Sequence, residues 1–167
     1  MRACIALGFL AFVNLMATNA LAQSHPIIGT WEMNAARSTF LPDRQLRTEV
    51  RRFEEREDGF ILFTLSLIDA DGNPGFTQAA FKLDGRGYPI FTQGSLAQFL
   101  MTGAQSGDRV WRALDANTLE NRLENNAPGL VFTHEVSADG RTMVGTMTGT
   151  NAQGQTFTER LVFERVD

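Results

Sequence analysis

The sequence predicts an all-β protein, an antiparallel up-and-down meander closed into a barrel of about 8–10 strands with at most one short helix. Short runs rich in β-branched and aromatic residues alternate in polarity, and turn residues separate them roughly every dozen positions. Helical periodicity interrupts this pattern only once. Because an open meander of that length would leave two exposed strand edges, closure into a barrel is the economical arrangement.

The first 22 residues have the features of a secretory signal peptide in their usual order. Arg2 gives a basic start, residues 3–17 form an apolar run, and Ala-Leu-Ala at residues 20–22 supplies a small-x-small cleavage pattern. We therefore expect a periplasmic or secreted protein with one barrel domain over residues 23–167. No later segment is long and apolar enough for a transmembrane helix, so no span is expected after signal removal.

Composition excludes several classes of function. The only cysteine, Cys4, lies in the signal, so neither disulfides nor thiol chemistry is expected. Without Arg2 the chain has 14 basic and 19 acidic residues, a net charge of −5, which is unsuited to nucleic acid. No phosphate loop, nucleotide fingerprint or Gly-x-Ser-x-Gly elbow occurs, and the two histidines do not form a metal-site pattern. We expect no cofactor and no metal.

The chain opens with a half-buried strand at residues 29–34, where Trp31 and Met33 share one face. Residues 35–45 lack sustained periodicity and are interpreted as a loop with room for one helical turn. Residues 46–55 mix apolar and charged positions without strict alternation, which indicates either a bulge or a solvated edge strand. We expect Trp31 to anchor the closed end of the barrel beneath the last strands.

The strongest strand signal is at residues 60–67, followed by a hairpin loop and a strand at residues 76–83 with Lys82 marking its outer face. Residues 88–91 form a short strand that Pro89 limits to an edge or an end. The predicted inner rows of the first two strands are Ile61, Phe63, Leu65 and Leu67, then Thr77, Ala79, Phe81 and Leu83.

Residues 95–102 have helical spacing and are predicted to be a short helix or an ordered loop. Five more strands follow, at residues 108–114, 118–124, 129–136, 142–150 and 155–166. On the fourth of these, Met143, Gly145 and Met147 share a face. Either the glycine leaves volume for an apolar ligand, or it relieves crowding at a strand bend.

Several segments resemble secreted bacterial lipocalin-like proteins, a functionally uncharacterised group of calycin-type barrels. The opening Gly-Thr-Trp-Glu-Met-Asn at residues 29–34 is followed by Arg37, Ser38 and Phe40, and later turns and the last strand match too. The resemblance covers most of the predicted mature chain and implies a barrel, but names no chemistry. Fatty-acid-binding proteins share the Gly-Thr-Trp opening, yet their Arg-x-Tyr is absent from the last strand here, so their ligand site is not carried over.

The presumed inner rows converge on a candidate site for a small apolar or amphipathic molecule. Its expected residues are Phe63, Phe81, Trp111, Arg112, Phe132, His134, Met143 and Met147. Arg52, Arg112 and Arg160 could each hold a carboxylate or phosphate head group. Arg112 is preferred because it alternates with apolar neighbours, although Trp111 competes for the inner position.

Two other functions remain open. A barrel enzyme of isomerase or cyclase type would use His134 with an interior carboxylate, either Glu159 or Glu135, for proton transfer. Against this, His134 could be a hydrogen-bonded core residue. A filled barrel with no cavity would instead act as an interaction module of the cell envelope.

Overall fold

The computed structural model describes residues 24–42, 44–95, 108–123, 130–150 and 154–167 of the 167-residue chain. Eleven strands lie in these residues, with one 3₁₀ turn at Ala35–Arg37 inside the predicted loop. The strands are β1 Gly29–Met33, β2 Leu46–Glu55, β3 Ile61–Asp69, β4 Pro74–Phe81, β5 Gly87–Tyr88, β6 Ile90–Gly94, β7 Arg109–Ala113, β8 Thr118–Leu123, β9 Val131–Val136, β10 Thr142–Thr150 and β11 Thr156–Arg165. The predicted signal peptide and residues 96–102 of the predicted helix lie outside the described ranges.

All eleven strands belong to one antiparallel sheet in the order β5-β7-β8-β9-β10-β11-β1-β2-β3-β4-β6. The first and last long strands pair, with Met33 opposite Phe163. The strands at the two ends of this order, β5 and β6, follow each other in the chain on either side of Pro89. The sheet is therefore a nearly closed barrel, and the predicted all-β fold class is confirmed.

Pro89 lies where the sheet closes, as its chemistry requires. A proline has no backbone N–H and cannot donate to a ladder, so it is found at strand edges and interruptions. Here it separates β5, which pairs with β7, from β6, which pairs with β4. The short strand predicted at residues 88–91 is thus the point at which the chain changes from one pairing partner to the other.

The irregular pattern of residues 46–55 comes from a bulge and from charges on the inner face. The register of β2 against β3 shifts between Leu46 and Thr48. Because β2 lies between β1 and β3, the alternative of an edge strand is wrong. Beyond the bulge, buried Glu49, Arg51 and Phe53 occupy the inner face, which explains why no clean apolar row was visible.

The barrel interior is formed by the period-two rows that the sequence predicts. The inner row of β3 is buried throughout, and so are Thr77, Ala79 and Phe81 of β4. Leu83 was expected in the same row, but it is 39% exposed because β4 ends at Phe81 and the chain turns. Met143, Leu161 and Phe163 complete the core on the other side.

The closed end of the barrel is built around Trp31, which is completely buried. Its indole Nε1 donates a hydrogen bond to the carbonyl of Ile27 at 2.8 Å. The guanidinium of Arg165 lies 4.2 Å from the centre of the Trp31 ring. Trp31 therefore packs beside the end of the last strand, as predicted.

Candidate ligand-binding site

A cavity of about 60 Å³ lies inside the barrel, between inner faces contributed by strands from both halves of the chain. Since one water-sized group needs about 10–15 Å³ of such cavity volume, there is room for roughly four to six such groups. Its apolar wall consists of Phe63, Leu65, Ile90, Trp111, Phe132, Met147 and Leu161. Its polar lining includes Arg44, Arg51, Thr77, Thr92, Arg109, Asn121, His134 and Glu159.

The aromatic part of the wall is a packed stack. The Phe81 and Trp111 rings are almost parallel, with centroids 4.0 Å apart. The ring of Phe63 lies 5.5 Å from Trp111 on the cavity side. Phe81 therefore supports the wall without lining it, and Met143 is likewise buried in the core behind the cavity. Of the predicted site residues, Phe63, Trp111, Phe132, His134 and Met147 do line the cavity.

The space beside Gly145 is occupied by the protein itself. A Cβ atom at this position would lie 2.6 Å from Nη1 of Arg51 and 3.2 Å from the ring of Phe163. The Cβ position of Gly145 is therefore crowded, as the interpretation of relieved crowding expects, while the glycine itself also lines the cavity. The guanidinium of Arg51 uses the gap to lie 4.4 Å from the centre of the Phe163 ring.

Four charged side chains of alternating sign, Arg51, Glu49, Arg44 and Glu159, form what we call the ionic cluster, and all of them except Glu49 line the cavity. Arg51 donates to Glu49 at 2.6 Å, and Arg44 bonds both Glu49, at 3.4 Å, and Glu159. Burial raises the pKa of Glu159, while the charge of Arg44 and a backbone N–H of Leu41 oppose the rise. Within the ionic cluster every charge has a partner of opposite sign.

His134 is buried among aromatic rings and faces the cavity, as its predicted strand face indicated. Burial, and secondly the positive charge of Arg51, hold the pKa of His134 well below its usual value, so the imidazole is neutral at pH 7. Nδ1 of this ring is buried and has no hydrogen-bond partner among the described residues. The alternative expectation was a core histidine whose ring nitrogens are hydrogen-bonded. That expectation does not hold for Nδ1.

The predicted catalytic pair is only partly assembled. Glu159 is interior, but it is bound to Arg44, and no hydrogen bond within the described ranges joins it to His134. Glu135 was the other candidate partner, and this prediction is wrong because Glu135 is exposed on the outer face of β9. Successive strand residues point to opposite faces, so a neighbour of the inward His134 must point outward.

The predicted interior arginine is also wrong, for the same geometric reason. Trp111 takes the inner position on β7, so Arg112, the next residue, lies on the outer face and is exposed. Arg109 stands two residues before Trp111 and is therefore inside. Arg52 and Arg160 are exposed too. The arginines that face the cavity are Arg44, Arg51 and Arg109.

Arg109 is 4% exposed and has neutral partners only. Its Nε donates to Oδ1 of Asn121, and Nη2 donates to the carbonyl of Leu130 at 2.6 Å. The guanidinium lies 5.1 Å from the centre of the Phe132 ring. Burial lowers the pKa of Arg109 to about 10, so it remains a cation at neutral pH. Among the described residues no carboxylate forms an ion pair with it.

Part of the polar lining could have been found from the sequence. Arg51 and Arg109 each stand two residues before an inward aromatic residue, Phe53 and Trp111, and therefore share its face. A charged side chain is rare at an inner position, so the strand pattern alone does not single them out. Arg44 precedes β2 and follows no period, so no sequence signal placed it beside the cavity.

The chain matches no protein-family model and no curated protein sequence. In the ranges that the structure describes, no helix has the length and apolar character needed to cross a membrane. The function is therefore inferred from the barrel and its cavity.

Proposed function

We propose that this protein is an exported, lipocalin-like barrel that binds a small amphipathic molecule in its interior. The single observation that supports this most is the interior cavity, whose aromatic and aliphatic wall adjoins a histidine nitrogen, Nδ1 of His134, that has no partner among the described residues. Binding sites for small molecules have this composition, mostly apolar with a few placed polar groups. The order of the strands in the barrel is compatible with a lipocalin-like fold.

The size of the cavity limits the ligand. The cavity volume of about 60 Å³ corresponds to roughly four to six water-sized groups. A ligand of roughly four to six non-hydrogen atoms fits without rearrangement. Small ligands gain at most about 1.5 kcal/mol of binding free energy per non-hydrogen atom, so affinities from millimolar to micromolar are expected.

One polar partner that the cavity offers a ligand is the imidazole of His134. A neutral imidazole offers one donor and one acceptor, and Nδ1 uses neither role with any described residue. A buried polar atom without a partner is costly, so a ligand hydroxyl or carboxyl group that bonds it adds affinity. Trp111 and Phe63, next to His134, provide apolar contacts for the rest of the molecule.

No specific observation favours the enzyme, because Glu159 is engaged by Arg44 and no other carboxylate lines the cavity within the described residues. The filled barrel accounts for the packed core, but it gives no role to a cavity beside an unpartnered imidazole nitrogen.

The two tryptophans make the proposal testable by heteronuclear NMR, because each gives one indole N–H signal. Trp111 lines the cavity, whereas Trp31 is buried at the closed end with its indole bonded to Ile27. Butanol, with an apolar chain and one hydroxyl group, serves as the probe. We expect a saturable shift of the Trp111 signal with Trp31 unmoved; no saturable shift, or equal shifts of both signals, would contradict interior binding.

Two leucines on β3 offer a matched pair of variants. Leu65 lines the cavity, and Leu67, on the same face of the same strand, is buried away from it. Leu65→Phe should fill the cavity and remove butanol binding with little loss of stability. Leu67→Phe should overpack the core at a cost of about 1–3 kcal/mol and leave binding intact. Equal binding by both variants would place the ligand elsewhere.

Export is the second part of the proposal and has its own test. If the signal peptide is cleaved as the sequence predicts, the intact mass of protein from the native cell corresponds to a chain that begins at Gln23. A mass that retains residues 1–22 would overturn the periplasmic or secreted location. It would not affect the proposed binding of a ligand inside the barrel.

A further inference from the structure

We propose that the ligand is a short-chain carboxylic acid and that Arg109 holds its carboxylate. This inference rests on the proposed function, since it takes the cavity as the binding site and adds the chemical class of the molecule bound there.

Among the described residues, the cavity is lined by one positive charge more than the buried carboxylates beside it can balance. Arg44 and Arg51 of the ionic cluster are matched by Glu49 and Glu159 through contacts that use both carboxylates. Arg109 is the third interior arginine, and it lines the same cavity without an ion-pair partner in the described part of the chain. Buried charges are normally paired, because desolvating an unpaired one is costly. An anion in the cavity would complete the balance.

The donor geometry at Arg109 also fits an anion. A guanidinium has five N–H donors, and the contacts to Asn121 and Leu130 use Nε and Nη2 only. Since Oδ1 of Asn121 accepts from Arg109, the amide nitrogen of Asn121 is the donor end that remains for a ligand oxygen. Arginine and an amide donor side by side are well suited to the two oxygens of a carboxylate.

The apolar wall favours an organic acid over an inorganic anion. The ring of Phe132 lies against the guanidinium, and Trp111 and Met147 line the same cavity. A hydrated inorganic ion would have to give up its water to lie against these groups, whereas a short alkyl chain gains from the contact. With room for roughly four to six non-hydrogen atoms, an acid of about butyrate size fits the space.

The experiment compares butyrate with butanol at matched ionic strength, again by the Trp111 and Trp31 indole signals. One charge-assisted hydrogen-bonded contact corresponds to about 10- to 100-fold in affinity. We therefore expect butyrate to bind the parent protein about 10- to 100-fold more tightly than butanol. We also expect the Nε–H signal of Arg109 to shift with butyrate and not with butanol, a readout that does not depend on any variant folding.

Arg109→Met and Arg112→Met provide the matched variants, because they remove the same charge from inner and outer positions of β7. Arg109→Met should bind butyrate no better than butanol, and an unchanged indole N–H signal of Trp31 will show that the barrel is folded. Arg112→Met should keep the preference for butyrate. Equal loss in both variants would indicate a general charge effect and overturn the role of Arg109.

The outcomes separate the two proposals. If neither compound binds, the proposed function fails and this inference fails with it. If butanol binds and butyrate binds no more tightly, the cavity remains a binding site but its ligand is not an acid. If inorganic phosphate displaces butyrate at equal concentration, Arg109 is a site for anions in general, and the assignment of an organic acid is wrong.

Discussion

The barrel contains two regions that each combine a tryptophan and an arginine: Arg165 lies over the ring of Trp31 at the closed end, and Arg109 and Trp111 line the cavity. At the closed end Arg165 donates to the carbonyls of Pro26, Ile28 and Gly140 at 2.6 to 2.7 Å. The Trp31 indole is bonded as well. A carboxylate oxygen of Asp167 lies 3.5 Å from the Arg165 guanidinium.

At the cavity the same residue types have fewer partners. Arg109 bonds one backbone carbonyl and one side-chain amide, and it forms no ion pair with a described residue. The imidazole of His134, stacked 5.9 Å from Trp111, has an unbonded Nδ1 in the described surroundings. The Trp31 indole and the Arg165 guanidinium are thus bonded by the chain, although Nε2 of His25, in the segment before β1, has no partner among the described residues. Around the cavity, Nδ1 of His134 lacks a hydrogen bond and Arg109 lacks a counter-charge within the same ranges. Unpaired buried polar groups call for an explanation, and a ligand supplies one.

The largest effect on stability is expected at the closed end. Trp31→Ala should lower the free energy of unfolding by about 3–5 kcal/mol, because a fully buried ring is removed and its cavity cannot collapse completely. Urea unfolding followed by far-ultraviolet circular dichroism measures this loss. Trp31→Phe, which keeps most of the apolar surface, should lose much less. Unchanged melting of Trp31→Ala would mean that the closed end does not depend on this ring.

A similar loss is expected when the charge balance of the ionic cluster is broken. Glu49→Gln leaves the buried guanidinium of Arg51 without its carboxylate, which should cost about 3 kcal/mol. Glu55→Gln is the matched control, since Glu55 is an exposed glutamate on the same strand. Equal stability of the two variants would show that the buried carboxylate of Glu49 stabilises the fold no more than the exposed carboxylate of Glu55 does.

The buried imidazole should make stability depend on pH. The pKa of His134 is lowered in the folded state, so in the pH window below the unfolded value of about 6.5 the unfolded chain binds a proton that the folded one does not. The free energy of unfolding should therefore fall as pH falls through this window. His134→Gln should flatten the profile.

His25 provides the control for that profile. Its pKa is also lowered, mainly by burial, but it is only half-buried, so His25→Gln should remove a smaller part of the slope. The raised pKa of Glu159 acts in the opposite sense, with stability lost as pH rises above its unfolded value near 4.5. A profile of the His134→Gln variant as steep as that of the parent would contradict a neutral buried imidazole.

The smallest stability change is expected at Arg109. Arg109→Met loses two hydrogen bonds but no longer buries an unpaired cation, so the two effects should nearly cancel, to within about 1 kcal/mol. Arg165→Met gains no such relief and should lose more stability, because three carbonyls lose their donor. Chemical unfolding of both variants compares the two regions directly. A larger loss for Arg109→Met would mean that Arg109 serves the fold.

Turn residues and period-two rows were sufficient to predict most of the barrel. The Ile61 to Leu67 row, the inward faces of Trp31, His134 and Glu159, and the interruption at Pro89 all follow from local chemistry. Each of these features depends on a strand's own alternation, which is written in consecutive residues. The same rule would have placed Arg109 inside once Trp111 was taken as inward.

Tertiary structure alone decided which charges share the interior. Arg44 meets Glu159 from 115 positions away in the chain, and Arg51 fills the gap beside Gly145 on a strand that does not pair with its own. Whether a buried arginine without a carboxylate neighbour on its own strand is compensated depends on which strands the barrel brings face to face. The sequence by itself therefore determined the strands, their inward faces and the placement of Glu49 beside Arg51 on one face of β2, whereas closure of the barrel joined Arg44 to Glu159 and gave Arg109 no carboxylate among the described residues.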